Sequence, residues 1–189
     1  MTKLMLSGAA LTLFATMTYA DVYKLDPAHT NARFEIGHFD TTTNHGGFYN
    51  ITGDISYSAK SNTAHLELVI PVDRIITGNE QFDNHMKSAD ILKADQFPAI
   101  TFKSTQFNFD GKHVKSVVGD LTILNKTHPV TLTATQFNCY ENPMFDGAEV
   151  CGGDFTTTID RTKWGVDFLS GMGIPNEVLI KVQVEAVKQ

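Results

Sequence analysis

Apolar and polar residues alternate along most of the chain with a period of two. The alternation is clear in residues 33–38, 66–70, 117–123, 130–135, 155–159 and 178–184. Successive side chains of a β-strand point to opposite faces, so this pattern is typical of antiparallel strands that bury one face. The chain is therefore predicted to be an all-β protein.

Short turn signals separate these segments. Asp110-Gly111 is a strong two-residue hairpin signal, and Asn125-Lys126 occupies a similar place before the next strand. Asn142-Pro143 and Asp146-Gly147 indicate a further turn. About eight short strands separated by such turns predict a barrel or a sandwich.

One segment departs from the alternation. Phe82 and Met86 are four residues apart, which predicts a short helix from about Asn79 to Lys87. Pro98 then favours a return to extended structure, with a strand over Ala99 to Lys103.

The first twenty residues have the features of an export signal. Lys3 precedes a mostly apolar stretch, and Ala20 ends a run with small residues at the positions a signal peptidase requires. A membrane anchor is the alternative, but Ser and Thr interrupt the stretch and it is short for a membrane span. We expect cleavage after Ala20, one mature domain over residues 21–189, and a periplasmic or secreted protein.

The composition is that of an ordinary globular protein, with 42% hydrophobic and 19% charged residues. The formal net charge is -6, which disfavours binding to nucleic acid because phosphate attracts basic surfaces.

The chain has two cysteines, Cys139 and Cys151. An oxidising compartment favours a disulfide between them, and the chain-entropy model gives it roughly 3 kcal/mol of stabilisation. A redox or metal pair is the alternative. The spacing is not C-x-x-C, however, and no second pair completes a zinc site.

Signatures of catalysis are missing from the sequence. Seven histidines are dispersed, and none lies in a compact metal-binding motif. The sequence contains neither a nucleophile elbow nor a glycine-rich phosphate loop. We therefore predict no catalytic residue, no metal and no catalytic cofactor.

Residues 160–175 carry the only tryptophan, Trp164, together with Phe168 and Met172. Such a glycine-containing loop suits the cover of a barrel mouth, although ordinary core packing explains the same residues. Arg161 is one of its two cations, and His38 continues the apolar face of Phe34 and Ile36. Either polar group is a candidate contact for a ligand head group.

Four blocks of sequence resemble the YceI-like family. They are YKLDPAHTNARFEIGHF, NHMKSADILKADQFPAITF, GDLTILNKTHPVTLTA and EVLIKVQVEAVKQ, in the family's order. The cysteine pair resembles a neisserial-type subgroup. The turn Asn125-Lys126 departs from the Asn-Gly that is frequent in the family.

The resemblance implies an exported, lipocalin-like barrel of eight antiparallel strands with a short helix, and we expect the loop of residues 160–175 to cover its mouth. It also implies a homodimer that holds a polyisoprenoid inside the barrel. Reported ligand classes are polyprenyl phosphates, isoprenoid quinones and fatty amides.

From these observations we expect a periplasmic, non-catalytic carrier of an isoprenoid lipid that exchanges it with membranes. A quinone such as ubiquinone is favoured over a polyprenyl phosphate, because the acidic chain suits a neutral head group. The expected apolar lining consists of Phe34, Ile36, Leu68, Phe82, Met86, Phe102, Leu121, Ile123, Leu132, Trp164, Phe168 and Met172. His38 and Arg161 are the expected polar contacts.

Two other functions fit the same sequence. One is a surface interaction or adhesion module whose barrel is filled by its own side chains. The other is a secreted enzyme that acts on a lipid or another small molecule. Large inward-facing residues serve a filled barrel and an open one equally well.

The cysteine pairing gives a direct prediction. Denatured, unreduced protein should contain no free thiol, because Cys139 and Cys151 are bonded to each other. A thiol assay in guanidinium checks this, and the same sample after reduction should give two thiols per chain. Two thiols before reduction would contradict the disulfide.

Overall fold

The computed structural model describes residues 20–189, so the predicted leader lies outside the described residues except for Ala20. Within them the chain forms eleven strands, one α-helix and three short 3₁₀ helices. The strands are β1 Asp21–Leu25, β2 Asn31–His38, β3 Thr42–Phe48, β4 Thr52–Ser58, β5 Thr63–Pro71, β6 Ile75–Ile76, β7 Ala99–Asp110, β8 His113–Ile123, β9 Lys126–Glu141, β10 Glu149–Asp160 and β11 Glu177–Lys188. The helix α1 spans Glu80–Lys87, and the 3₁₀ helices span Val72–Arg74, Pro143–Phe145 and Arg161–Trp164.

The strands form one closed antiparallel barrel. Neighbours follow the order β1-β4-β5-β7-β8-β9-β10-β11, and β11 pairs again with β1. Both β1 and β2 pair with β11, so they lie end to end and together form one of the eight strand positions of the barrel. In the same way, β3 and β4 lie in line, as do β5 and β6. The predicted eight-stranded barrel is confirmed.

Two tight turns show how local sequence sets strand register. The predicted hairpin is present, but Asp110 pairs with His113, so its two loop residues are Gly111 and Lys112, one residue later than the predicted Asp110-Gly111. The next turn is centred on Leu124 and Asn125, whose φ angles are 48° and 59°. The predicted Asn125-Lys126 turn is therefore wrong by one residue. A type I′ turn needs two residues with positive φ, and Lys126 already pairs with Ile123.

The predicted helix is confirmed. The Asn79 side chain caps it by accepting a hydrogen bond of 3.0 Å from the Phe82 backbone N–H. The strand after Pro98 begins at Ala99 as expected but continues to Asp110. No helix among residues 20–189 has the length and apolar character needed to cross a membrane.

The two ends of the barrel differ. One end, called here the helix end, carries α1, the β2–β3 turn and the loop of residues 165–176 that follows the last 3₁₀ helix. The opposite end, called the disulfide end, carries the β9–β10 hairpin. There Cys139 and Cys151 face each other in register and form the predicted disulfide.

A tyrosine pair lies beneath that disulfide. The Tyr23 hydroxyl donates to Glu149 Oε1 at 2.6 Å, and its ring contacts Tyr57 edge to face. Burial, reinforced by the Glu149 carboxylate, raises the pKa of Tyr23. Burial also raises the pKa of Tyr57. Both rings therefore act as neutral packing groups that seal the disulfide end.

The break between β1 and β2 is held by local hydrogen bonds. The Asp26 carboxylate accepts from the Ala28 backbone N–H at 2.9 Å and contacts His29 Nδ1 at 2.8 Å. The bond to His29 lowers the pKa of Asp26, and the same bond raises the pKa of His29. The segment thus keeps a compact turn where a continuous strand would otherwise run.

This pair gives a pH prediction. Its favourable form has Asp26 ionised and His29 protonated. The contribution to stability is therefore present between roughly pH 4 and 6.5, around the ordinary pKa values of the two groups. It falls as pH drops through the lowered Asp26 pKa, and the His29 part falls as pH rises through the raised His29 pKa. In Asp26→Asn, the His29 pKa measured by NMR should drop.

Urea unfolding provides the matching stability measurement. The advantage of the wild type over Asp26→Asn should be larger at pH 5.5 than at pH 8.5. An advantage that is equal at both pH values would contradict the ion pair.

Candidate functional site

A cavity of about 410 Å³ occupies the helix end of the barrel. Its volume is in the range of small-molecule sites. The lining is mostly apolar and consists of Ala32, Arg33, Phe34, Ile36, His38, Asn44, Phe48, Ile70, Phe82, His85, Met86, Ile91, Leu92, Ile100, Leu121, Ile123, Ile159, Arg161, Val166, Phe168, Leu169, Ile174, Val178 and Ile180. The volume and the apolar walls suit a slender hydrophobic ligand.

The cavity wall follows directly from the strand alternation. Phe34 and Ile36 on β2, Leu121 and Ile123 on β8, and their counterparts on β11 lie two residues apart, so their side chains share the inner face. The helix adds Phe82 and Met86, which are four residues apart on one face.

Four of the five polar lining groups lie toward the helix end, and the fifth, Arg33, is an exposed residue near the start of β2. His38 is near the end of β2, Asn44 is on β3 close to the β2–β3 turn, and His85 is on α1. The His85 ring meets the Phe168 ring edge to face, with centroids 4.9 Å apart. A ligand with one polar and one apolar end would therefore meet these polar protein groups at one end of the cavity.

Arg161 is the buried cation of this wall, with 6% of its surface exposed. Its guanidinium donates to three carbonyl oxygens of the following loop: Val166 at 2.7 Å, Pro175 at 3.0 Å and Ile174 at 3.3 Å. Burial lowers the pKa of Arg161. The side chain ties the two arms of the 165–176 loop together and so holds the cover of the cavity in place.

Nine of the predicted ligand contacts lie in the cavity lining. They are Phe34, Ile36, Phe82, Met86, Leu121, Ile123, Phe168, His38 and Arg161. Their contact with a ligand stays a prediction.

Three predicted contacts lie deeper in the barrel. Leu68 and Leu132 line a second apolar cavity of about 70 Å³ toward the disulfide end. Phe102 is buried at the level between the two cavities, because its register partners Leu68 and Leu121 line the lower and the upper one. Its ring lies against Gly119, where a Cβ atom would overlap it.

Two residues of the covering segment lie outside the cavity lining. Trp164 is fully buried, and its indole N–H donates to the Leu121 carbonyl at 2.9 Å, so it anchors the loop to β8. Met172 is 67% exposed because the loop turns outward at Gly171 and Gly173, both with positive φ. Neither residue forms the inner surface of the cover.

Several lining residues were missed by the sequence analysis. Ile91 and Leu92 follow the helix in an irregular segment, where no periodicity marks them as buried. Asn44 and His85 carry no pattern that distinguishes them from surface residues. By contrast, the alternation on β11 does indicate that Val178 and Ile180 face the interior.

The cavity bears on the alternative functions. Its volume shows that side chains do not fill the helix end of the barrel, as a purely structural barrel would require. Among residues 20–189, one group of three potential metal ligands lies close together: Asp26, His29 and Glu185. None of the three lines the cavity.

Comparison with known proteins identifies relatives over nearly the whole described chain. The model of the YceI-like domain matches residues 23–186. A UPF0312 protein of Pseudomonas putida is 31% identical over 186 residues, which cover 96% of this chain and 94% of the relative. A UPF0312 protein of Staphylococcus aureus is 36% identical over 151 residues, which cover 77% and 82% of the two chains.

Solved structures share the fold. BcnA of Burkholderia cenocepacia has a TM-score of 0.72 at 20% identity, covering 85% of this chain and 98% of its own. A polyisoprenoid-binding domain from Saccharophagus degradans, implicated in plant cell wall breakdown, has a TM-score of 0.64 at 12% identity. The match covers 89% of this chain and 99% of that domain.

The role of Arg161 gives a stability prediction. Arg161→Met should lower the free energy of unfolding by on the order of 3 kcal/mol, because hydrogen bonds from a charged group are lost and buried carbonyls remain unpaired. Urea unfolding measures the change, and limited proteolysis should cut the 165–176 loop. Lys163→Met, an exposed cation of the same 3₁₀ helix, is the control. Equal free energies of unfolding for the two variants would contradict the role of Arg161 in holding the loop.

Proposed function

This chain belongs to the YceI-like family, and we propose that it carries the apolar tail of one isoprenoid lipid inside its barrel. The observation that carries the proposal is the apolar cavity of about 410 Å³ whose polar lining groups, apart from the exposed Arg33, lie toward the helix end. The lipid would lie with its tail toward the disulfide end and its head group near His38, Asn44 and His85.

The energetics favour such a ligand. Each five-carbon isoprene unit moved from water to an apolar wall contributes on the order of 4 kcal/mol. Ordering of the chain and rearrangement of the protein oppose this gain. The tail therefore supplies ample affinity, and discrimination comes from cavity shape and from the few polar groups.

We infer a neutral head group, such as the ring of ubiquinone. The buried Arg161 guanidinium already donates to three loop carbonyls, so it is poorly placed to compensate a desolvated phosphate. Imidazole and amide groups, by contrast, suit a carbonyl oxygen. A polyprenyl phosphate is the second choice, with the exposed Arg33 as its cation.

The comparisons support the ligand class. The Saccharophagus degradans domain, which shares the fold, is described as polyisoprenoid-binding. With the predicted export signal, these observations favour a periplasmic carrier that binds its lipid without transforming it.

The direct test is extraction of freshly purified protein with organic solvent, followed by mass spectrometry and a redox-difference ultraviolet spectrum. The protein should be made in its own host. One polyprenyl quinone per chain is expected, and a polyprenyl phosphate would replace the neutral head group in the proposal. An extract without any lipid would contradict the carrier function.

A substitution inside the cavity tests the location. Leu121→Asn keeps the size of the side chain but puts an amide against the tail, so lipid retention should fall at least tenfold, equivalent to about 1.4 kcal/mol. Val69→Asn makes the same kind of change on the outer face of β5, where Val69 is exposed, and should retain lipid fully. Equal retention by two folded variants would rule out this wall as the binding surface.

A further inference from the structure

Two apolar side chains protrude beside the cavity at the helix end. Phe39 in the β2–β3 turn is 48% exposed, and Met172 at the tip of the 165–176 loop is 67% exposed. The Phe39 backbone N–H donates to the Gly173 carbonyl at 2.8 Å, and the Phe39 ring lies on Gly173, where a Cβ atom would overlap it. The turn and the loop therefore form one rim, defined here as Phe39, Met172 and Gly173.

This rim is continuous with the cavity. His38 precedes Phe39 and lines the cavity, and its ring meets the Phe39 ring at a centroid distance of 4.8 Å. Leu169 and Ile174 flank the tip of the loop and also line the cavity. An apolar surface thus runs from the interior of the barrel to the exposed rim.

The backbone at Phe39 is unfavourable for the residue it carries. Phe39 and Asp40 have φ angles of 50° and 52°, and the Thr41 N–H donates to the His38 carbonyl at 3.0 Å, which defines a type I′ turn. Asn and Gly are preferred at both central positions. A phenylalanine that accepts left-handed backbone and still leaves half its ring exposed gains little stability in the folded chain. The ring already packs on Gly173 and His38, and its exposed half gains contacts only if a partner covers it.

The charge of the rim identifies the kind of partner. The β2–β3 turn and the 165–176 loop contain no Lys or Arg, and their charged residues are Asp40 and Asp167. The two segments of the rim therefore offer no cation of their own to an anionic surface, and Lys126 lies at the far end of the loop, against Gly165. A neutral apolar phase that accepts two protruding side chains fits the rim better.

We propose that Phe39 and Met172 insert into a zwitterionic lipid bilayer and hold the mouth of the cavity against it. This inference rests on the proposed function, because an isoprenoid tail is nearly insoluble in water and its source is a membrane. With the rim inserted, the tail passes between the bilayer and the barrel along a continuous apolar path. Binding then depends on apolar contact and is insensitive to salt.

The opposite end of the barrel offers a matched control. Met144 and Phe145, at the tip of the β9–β10 hairpin, are 88% and 46% exposed. They are the same two residue types at comparable exposure, but they lie at the disulfide end, away from the large cavity. If any exposed apolar residue bound vesicles, substitutions at the two ends of the barrel would lower vesicle binding equally.

The test compares two double variants of the mature protein in flotation with phosphatidylcholine vesicles. Phe39→Asn with Met172→Gln should lower the vesicle partition coefficient at least tenfold, and the turn should fold well because Asn suits it. Phe145→Asn with Met144→Gln should bind vesicles like the wild type. Wild-type binding should be the same at 50 mM and 500 mM salt.

Extraction of bound lipid is measured on the same samples. The rim variant should lose vesicle binding, but its intact cavity should still fill with lipid that is added in detergent, which separates docking from carriage. If the extracted protein contains no lipid but the wild type still floats with vesicles and the rim variant does not, the carrier proposal is wrong and the docking proposal remains. Loss of binding in the control pair, or no wild-type binding, would overturn the docking proposal. Light scattering that shows the rim variant to be a monomer and the wild type a dimer would also overturn it, because the rim would then be a dimer interface.

Discussion

Eight residue pairs join β11 to β1 and β2 and close the barrel, and the rest of the structure depends on that closure. Tyr23, Lys24 and Leu25 pair with Lys188, Val187 and Ala186, which joins the two ends of the sheet. Closure forces one face of every strand inward. Side chains that an open sheet would leave on a flat surface thereby become the wall of an interior, and the helix and the covering loop need only close one end of it.

The amount of interior left open is decided by a few side chains. At the disulfide end, Tyr23, Tyr57, Phe107 and Phe137 fill the barrel and leave about 70 Å³. At the helix end, the aliphatic residues of β2, β8 and β11 are smaller, and α1 and the 165–176 loop lie across the opening without entering it. The asymmetry gives the site a closed apolar end and an end with polar groups, as an amphiphile requires.

The sequence predicts most of the fold because strand alternation, turn residues and helix capping are local. Most of the strands and the helix after Asn79 follow from short-range pattern, whereas the closed eight-stranded barrel follows from the resemblance to the YceI-like family and the disulfide from the expected oxidising compartment. The site is predicted less completely. Inward direction does not distinguish Leu121, which faces the cavity, from Leu132, which lies near the disulfide end. Depth along the barrel depends on stagger between distant strands, and Arg161 shows that a polar residue in the cavity lining can also hold the covering loop in place.

Phe102 and Gly119 together act as a depth stop. Phe102 is buried at the level between the two cavities, and its ring lies against Gly119 on the neighbouring strand, which leaves room for it because it lacks a side chain. The ring thereby occupies the level at which the two cavities would otherwise meet. A smaller residue at 102 would open space between them, whereas a side chain at 119 would meet both the ring and the Lys103 carbonyl. Tail length is thus a property that substitution at 102 can change, while the packing of the neighbouring strand fixes Gly119.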